Sequence, residues 1–202
     1  MRRKQCLDLP VLLPHVAKKS SGENMSADAY TAQPYFDMEL FLQTAEATRL
    51  DGAMLEECLA RWSVWCKQLK GGTVRADNTA VFALWLDESV EHEVDAAWQD
   101  SPSRGHMLNA LAQTICMCAV HERIPEVEDA GCAPSPEPSA ELAEALTKAG
   151  LPTVTGAALR LGRKYAVVTP EPFKGGCECC ALRRTCPRSG IGGMAVELPG
   201  YE

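Results

Sequence analysis

Four cysteines fall within the ten residues Cys177-Glu178-Cys179-Cys180-Ala181-Leu182-Arg183-Arg184-Thr185-Cys186, just after Gly175-Gly176 and just before Pro187. Glycine on one side and proline on the other mark a tight loop, and a tight loop aims neighbouring sulfurs inward. Thiolates spaced in this way can converge on one metal ion or cluster. Nothing else in the chain is as specific, so the sequence predicts a cysteine-rich metal-binding loop near residue 180.

The skeleton is Cys177-x2-Cys180-x5-Cys186, with Cys179 as an extra thiol inside its first step. This triplet resembles the C-terminal iron–sulfur staple of endonuclease III-type DNA glycosylases and of RecB-type nucleases. In those families the matching cysteines are three of the four ligands of a [4Fe–4S] cluster, and the resemblance implies that role for Cys177, Cys180 and Cys186. It covers about ten residues. The glycosylases carry another cysteine seven positions before the x2 pair, where this chain has Pro170, so a fourth ligand has to come from elsewhere. The Asp…Glu-x-Lys carboxylates of the nucleases are missing, so the resemblance carries the metal motif and not the activity.

Cys132 and Cys179 are the candidates for the fourth position. Cys132 stands in Asp129-Ala130-Gly131-Cys132-Ala133-Pro134, a loop-like stretch free to fold back, whereas Cys179 and Cys180 are adjacent and awkward as joint ligands of one small ion. An iron–sulfur cluster, a structural zinc and redox thiols remain open as readings. The proline after the last cysteine, a feature of bacterial ferredoxin motifs, favours the first. Disulfides need an oxidising compartment, and residues 1–14 do not read as an export signal, because Asp8, Pro10 and Pro14 break the apolar run. A cytoplasmic location is the expectation. Cys58, Cys66, Cys116 and Cys118 fall on apolar helical patterns and read as small core residues. Cys6 lies in a basic arm without periodicity.

A chain of 202 residues, 46% hydrophobic, can bury a sizeable core without metal. No stretch approaches a membrane span. The net charge of −7 is uneven. Residues 1–24 carry five Lys/Arg against two Asp/Glu and residues 139–202 eight against six, which leaves about −12 on the middle of the chain. That middle reads as amphipathic helices: one from Met38 to Leu50, and one through Leu55, Cys58, Leu59, Trp62, Trp65, Cys66 and Leu69 that stops at Gly71-Gly72. A third follows Asn78-Thr79, with Val81, Phe82, Trp85, Val90, Val94 and Trp98 on its apolar side. The last follows Ser101-Pro102-Ser103 and carries Met107, Leu108, Leu111, Ile115 and Cys118. Glu88, Glu91, His92 and Asp95 read as a solvated acidic face, since the Glu-x-x-His signature of di-iron bundles is absent. No Gly-rich phosphate loop, nucleophile elbow or Cys–His dyad is present.

Prolines 134, 136 and 138 lock extended backbone and separate this bundle from a second module, which opens with Ser139 as an N-cap. Its sequence runs through Ala140-Glu-Leu-Ala-Glu-Ala-Leu146, a turn at Gly150-Leu-Pro152, Thr153-Val-Thr-Gly-Ala-Ala-Leu-Arg-Leu161, and Tyr165 to Thr169. It resembles a winged helix–turn–helix, and reads equally as a helical hairpin that props up the cysteine loop. The resemblance implies a second helix opening at Thr153 that enters the DNA major groove, with Thr153, Thr155, Arg160, Arg163 and Lys164 facing bases or phosphates. Several bacterial iron–sulfur regulators place a cysteine cluster directly after such a wing.

The reading is therefore a mainly α protein: a disordered N-terminal arm over 1–24, a helical bundle over 25–125, a proline-rich linker over 126–138, and a small α+β module over 139–202 with the cysteine loop. Its expected function is that of a [4Fe–4S] protein, redox- or iron-responsive and DNA-associated through the C-terminal module. The alternatives are an electron-transfer or accessory subunit serving a redox partner protein, and a zinc-stapled interaction protein. Homodimerisation through the Trp62/Trp65 helix would present two modules to one duplex.

Overall fold

The computed structural model describes residue 30 and residues 33–76 and 78–186. The basic arm, Cys6 and Pro187 lie outside them. Among the described residues the chain forms α1 (Met38–Thr44), α2 (Gly52–Trp65), β1 (Lys70–Ala76), β2 (Thr79–Trp85), α3 (Glu88–Asp100), α4 (Pro102–Arg123), α5 (Glu126–Ala130), α6 (Ala140–Lys148), β3 (Thr153–Val154), β4 (Arg160–Leu161) and β5 (Ala166–Pro170). Helix predominates, as the sequence predicts. No helix among them is long and apolar enough to cross a membrane.

Short polar side chains start most of the helices. Asp37 Oδ1 accepts from Leu40 N at 3.0 Å, Asp51 Oδ1 from Met54 N at 2.9 Å, and Ser139 Oγ from Leu142 N at 3.0 Å. Ser101 caps α4 and Pro102 takes the first helical position, where no backbone donor is lost. His106 closes α1, its Nε2 lying 2.9 Å from the Ala45 carbonyl.

The third predicted helix does not begin at residue 79. Residues 79–85 form a strand instead, paired antiparallel with β1 in the register Ala76↔Thr79 to Lys70↔Trp85. Val81, Phe82, Ala83, Leu84 and Trp85 are all buried, and a continuous apolar run of this kind suits a strand covered on both faces. Asp87 then caps a separate helix, α3, by accepting from Ser89 N at 3.2 Å.

β2 is the middle of a three-stranded sheet in the order β1-β2-β5. Its faces alternate. Phe82 and Leu84 pack into the layer formed by α1, α2, α3 and α4, with Phe41, Trp62, Trp65, Leu111 and Ile115. Val81, Ala83 and Trp85 pack on the other side with Leu142 and Leu146 of α6 and with Leu151. Burying a side chain such as Phe82, 1% exposed, is worth about 2–3 kcal/mol. Trp62 and Trp65 face inward at 8% and 0% exposure, so they are core residues, while Leu59 and Val64 of the same helix are exposed.

The pairing of β2 with β5, from Trp85↔Ala166 to Val81↔Pro170, joins the segment after the prolines to the segment before them in one sheet. The start of the expected linker is helical, since α5 occupies 126–130 and ends on Gly131 with φ +72°. α3 and α4 cross closely at Gly105, where an added Cβ would lie 2.5 Å from the Trp98 ring.

Candidate metal centre

The cysteine loop follows β5. Gly175, at φ +118°, makes a turn that few other residues adopt, and leads into a short 3-10 turn over Cys177–Cys179. A second turn carries the chain from Cys180 to Cys186: Arg183 N donates to the Cys180 carbonyl at 3.1 Å, and Cys186 N to the Leu182 carbonyl at 2.9 Å. This geometry places Cys177, Cys180 and Cys186 on successive bends.

Opposite them lies the segment after α5. Ala181 N donates to the Ser135 carbonyl at 3.0 Å, and Ser135 N donates to the Cys180 sulfur at 3.3 Å. These two bonds hold the Gly131–Ser135 strand of chain against the cysteine loop. They bring Cys132 to it, within electrostatic reach of the Cys177, Cys180 and Cys186 sulfurs. Burial, then the neighbouring sulfurs, holds the Cys132 thiol above its ordinary value. All four residues are partly exposed.

Cys179 is directed elsewhere. Its thiol donates to the Gly175 carbonyl at 3.0 Å and to the Gly176 carbonyl at 3.4 Å, so it serves its own turn. Of the two candidates for a fourth position, the structure brings Cys132 to the triplet and turns Cys179 away. Among the described residues no three His, Cys, Asp or Glu side chains are spaced to grip a single ion directly.

The remaining cysteines are in the core. Cys58, Cys66, Cys116 and Cys118 are 0%, 7%, 2% and 6% exposed. Burial pushes the Cys58 and Cys118 thiols up to about 11 and the Cys66 thiol to about 12, and raises Cys116 further. They remain protonated and inert near neutrality.

The resemblance to a winged helix–turn–helix fails at its second helix. α6 forms as expected, but Thr153–Val154 is a strand, β3, paired with β4 in a small hairpin. The β-branched run Thr153-Val154-Thr155 between Pro152 and Gly156 disfavours helix and suits a strand. Thr153 and Arg160 therefore lie on this hairpin, and Thr155 in the loop beyond β3. Arg163 and Lys164 pair with the acidic side of α3. Arg163 contacts Glu88 at 3.1 Å, Lys164 Nζ contacts Asp95 at 2.7 Å, and Lys164 N donates to Glu91 at 3.1 Å. That acidic face, read from the sequence as solvated, is thus partly neutralised by the chain's own basic turn.

Sequence reasoning missed Ser135, whose part in the site is a backbone N–H and so leaves no mark of residue type. It also missed a cavity of about 920 Å³ beside the site, reached by Cys132, Ser135 and Leu182 and walled by α1, α4 and β5. Comparison with protein-family models, with curated proteins and with solved structures finds no match to this chain, so its function is argued from the site alone.

Proposed function

We propose that Cys132, Cys177, Cys180 and Cys186 hold a [4Fe–4S] cluster, and that the protein exchanges electrons through it with a redox partner or responds to its redox state. The observation that carries this reading is the meeting of Cys132 with the Cys177–Cys186 loop across a long stretch of chain. Four thiols from two segments form the donor set such a cluster takes. Tetrahedral zinc would draw its four sulfurs to about 3.8 Å of one another. A cube with a thiolate on each iron separates them more widely.

When bound, the cluster supplies a one-electron couple. The chain's own residues do the rest. Gly175 and the 3-10 turn aim Cys177 and Cys180, and the Ser135 N–H donates to the Cys180 sulfur, where it offsets thiolate charge and tunes the site. Leu182, 40% exposed, stands between two of the thiols and leaves that side open to a partner. The hairpin at 153–161, in place of a recognition helix, favours the redox reading over a DNA-associated one.

Anaerobic purification followed by reduction with dithionite tests the proposal. A brown protein with an absorbance near about 400 nm that bleaches on reduction is the expected result. Colourless protein holding one zinc per chain would support the zinc-stapled reading instead.

A further inference from the structure

The outer edge of β5 has the form of a slot for another strand. Among the described residues β5 has a sheet neighbour on one side only, β2. Leu86 N donates to the Tyr165 carbonyl at 2.9 Å and Glu171 N to the Ala80 carbonyl at 3.0 Å, so residues 165, 167, 169 and 171 turn their backbone toward β2. Ala166 and Val168 must then turn their N–H and C=O groups outward. Pro170 follows the same alternation and has no N–H to leave unpaired at the edge. Among the described residues nothing bonds to the outward groups of Ala166 and Val168.

The cavity of about 920 Å³ lies along this edge, with Ala166, Val167 and Val168 all in its wall. The helix layer overhangs it on one side through Leu40 and Met117, and the β3–β4 hairpin on the other through Leu159 and Leu161. A strand beside β5 would sit between the two layers, its backbone bonded to the edge and its alternate side chains against apolar walls. The charge of the lining is one-sided. Asp37, Glu39, Glu46 and Glu128 contribute to it, and no Lys or Arg among the described residues does.

We propose that this slot binds an extended peptide segment of a partner protein in which Lys or Arg alternates with apolar residues, added as a fourth strand to β5. A second copy of the chain is a poorer occupant, because pairing β5 with itself would set the same carboxylates face to face. The slot ends at Cys132, Ser135 and Leu182, so the docked segment would lie against the cysteine loop. The proposal does not depend on which metal, if any, that loop holds.

The test is fluorescence anisotropy of the full chain with a short labelled peptide alternating valine and lysine, beside a valine–glutamate counterpart. Saturable binding of the lysine peptide, weakened by salt, is expected, with none for the glutamate peptide. The combined Glu39→Gln, Glu46→Gln and Glu128→Gln variant should bind about tenfold more weakly. Ala166→Pro, which removes an outward N–H and no bond to β2, should lose binding while keeping its melting temperature. A lysine peptide N-methylated at every residue has no N–H to offer a strand edge and should not bind, whatever Ala166→Pro does to folding. Equal binding of the glutamate or N-methylated peptide, or no binding of the lysine peptide, would overturn the proposal. So would a dimer seen by light scattering without peptide and abolished by Ala166→Pro, which would assign the edge to self-association.

Discussion

The backbone N–H of Ser135 donates to the sulfur of Cys180 at 3.3 Å, across 45 positions of sequence. The bond ties the loop that carries Cys132 to the loop that carries the other three thiols. Hydrogen bonds to ligating sulfur stabilise its negative charge and favour the reduced state of a cluster. Ser135→Pro removes this donor, and the loaded variant should show a more negative midpoint potential at unchanged metal content in redox titration. An unchanged potential would separate Ser135 from the site.

The four core cysteines should be chemically silent. With thiols raised to about 11 for Cys58 and Cys118 and about 12 for Cys66, the thiolate fraction at pH 8 is very small, and burial blocks access besides. Iodoacetamide at pH 8 should leave Cys58, Cys66, Cys116 and Cys118 unlabelled in native protein and label all four in guanidinium, as read by peptide mass mapping. Rapid native labelling of Cys116 would contradict its place in the core.

The crossing of α3 and α4 tolerates little at residue 105. A Cβ there would meet the Trp98 ring at 2.5 Å and its Cα at 2.7 Å, so backbone as well as side chain has to shift. Gly105→Ala should destabilise by about 2 kcal/mol in urea unfolding, although alanine is the better helix former on an open surface. A stabilised variant would show that the helices lie farther apart.

Asp87 ties the start of α3 to β1. It caps Ser89 N and pairs with Lys70 at 2.6 Å, and these contacts, Lys70 first, lower its carboxyl to about 2. A carboxyl lowered on folding stabilises the protein above its unfolded value near 4, and that contribution is lost as pH falls through 4 toward 2. Asp87→Ala should cost about 1 kcal/mol at pH 7, mainly as a lost cap. The cost should shrink below pH 4 in melts followed by circular dichroism, and a cost that grew there would reverse the sign of the argument.

Local signals made some elements legible in the sequence. Ser101-Pro102 and Ser139 announce α4 and α6 because a cap and its helix are neighbours in the chain. Val81 to Trp85 gave no such signal. Five consecutive apolar residues satisfy a buried helix face and a strand buried on both sides alike; the near partner, β1, carries Gly71-Gly72, which reads as a helix stop, and the other, β5, lies about 85 positions away. Separation in sequence also hides the role of Cys132, which stands 45 positions before Cys177. Gly131 and Pro134 show a bend, but only the sheet and the Ser135 contacts determine that the bend closes on Cys177 and Cys180. The segment from Thr153 misled for the opposite reason, since its likeness to a recognition helix outweighed the β-branched residues that favour a strand.

The central claim is that four thiolates from two segments share one cluster, and iron and acid-labile sulfide assayed per chain test it most directly. Anaerobically purified protein should hold about four of each, and Cys132→Ser should fall with Cys177→Ser, Cys180→Ser and Cys186→Ser to a small fraction of that. Cys179→Ser, which loses only its bonds to Gly175 and Gly176, should stay near full occupancy. Full iron and sulfide in the Cys132→Ser protein, or their loss in the Cys179→Ser protein alone, would contradict the account.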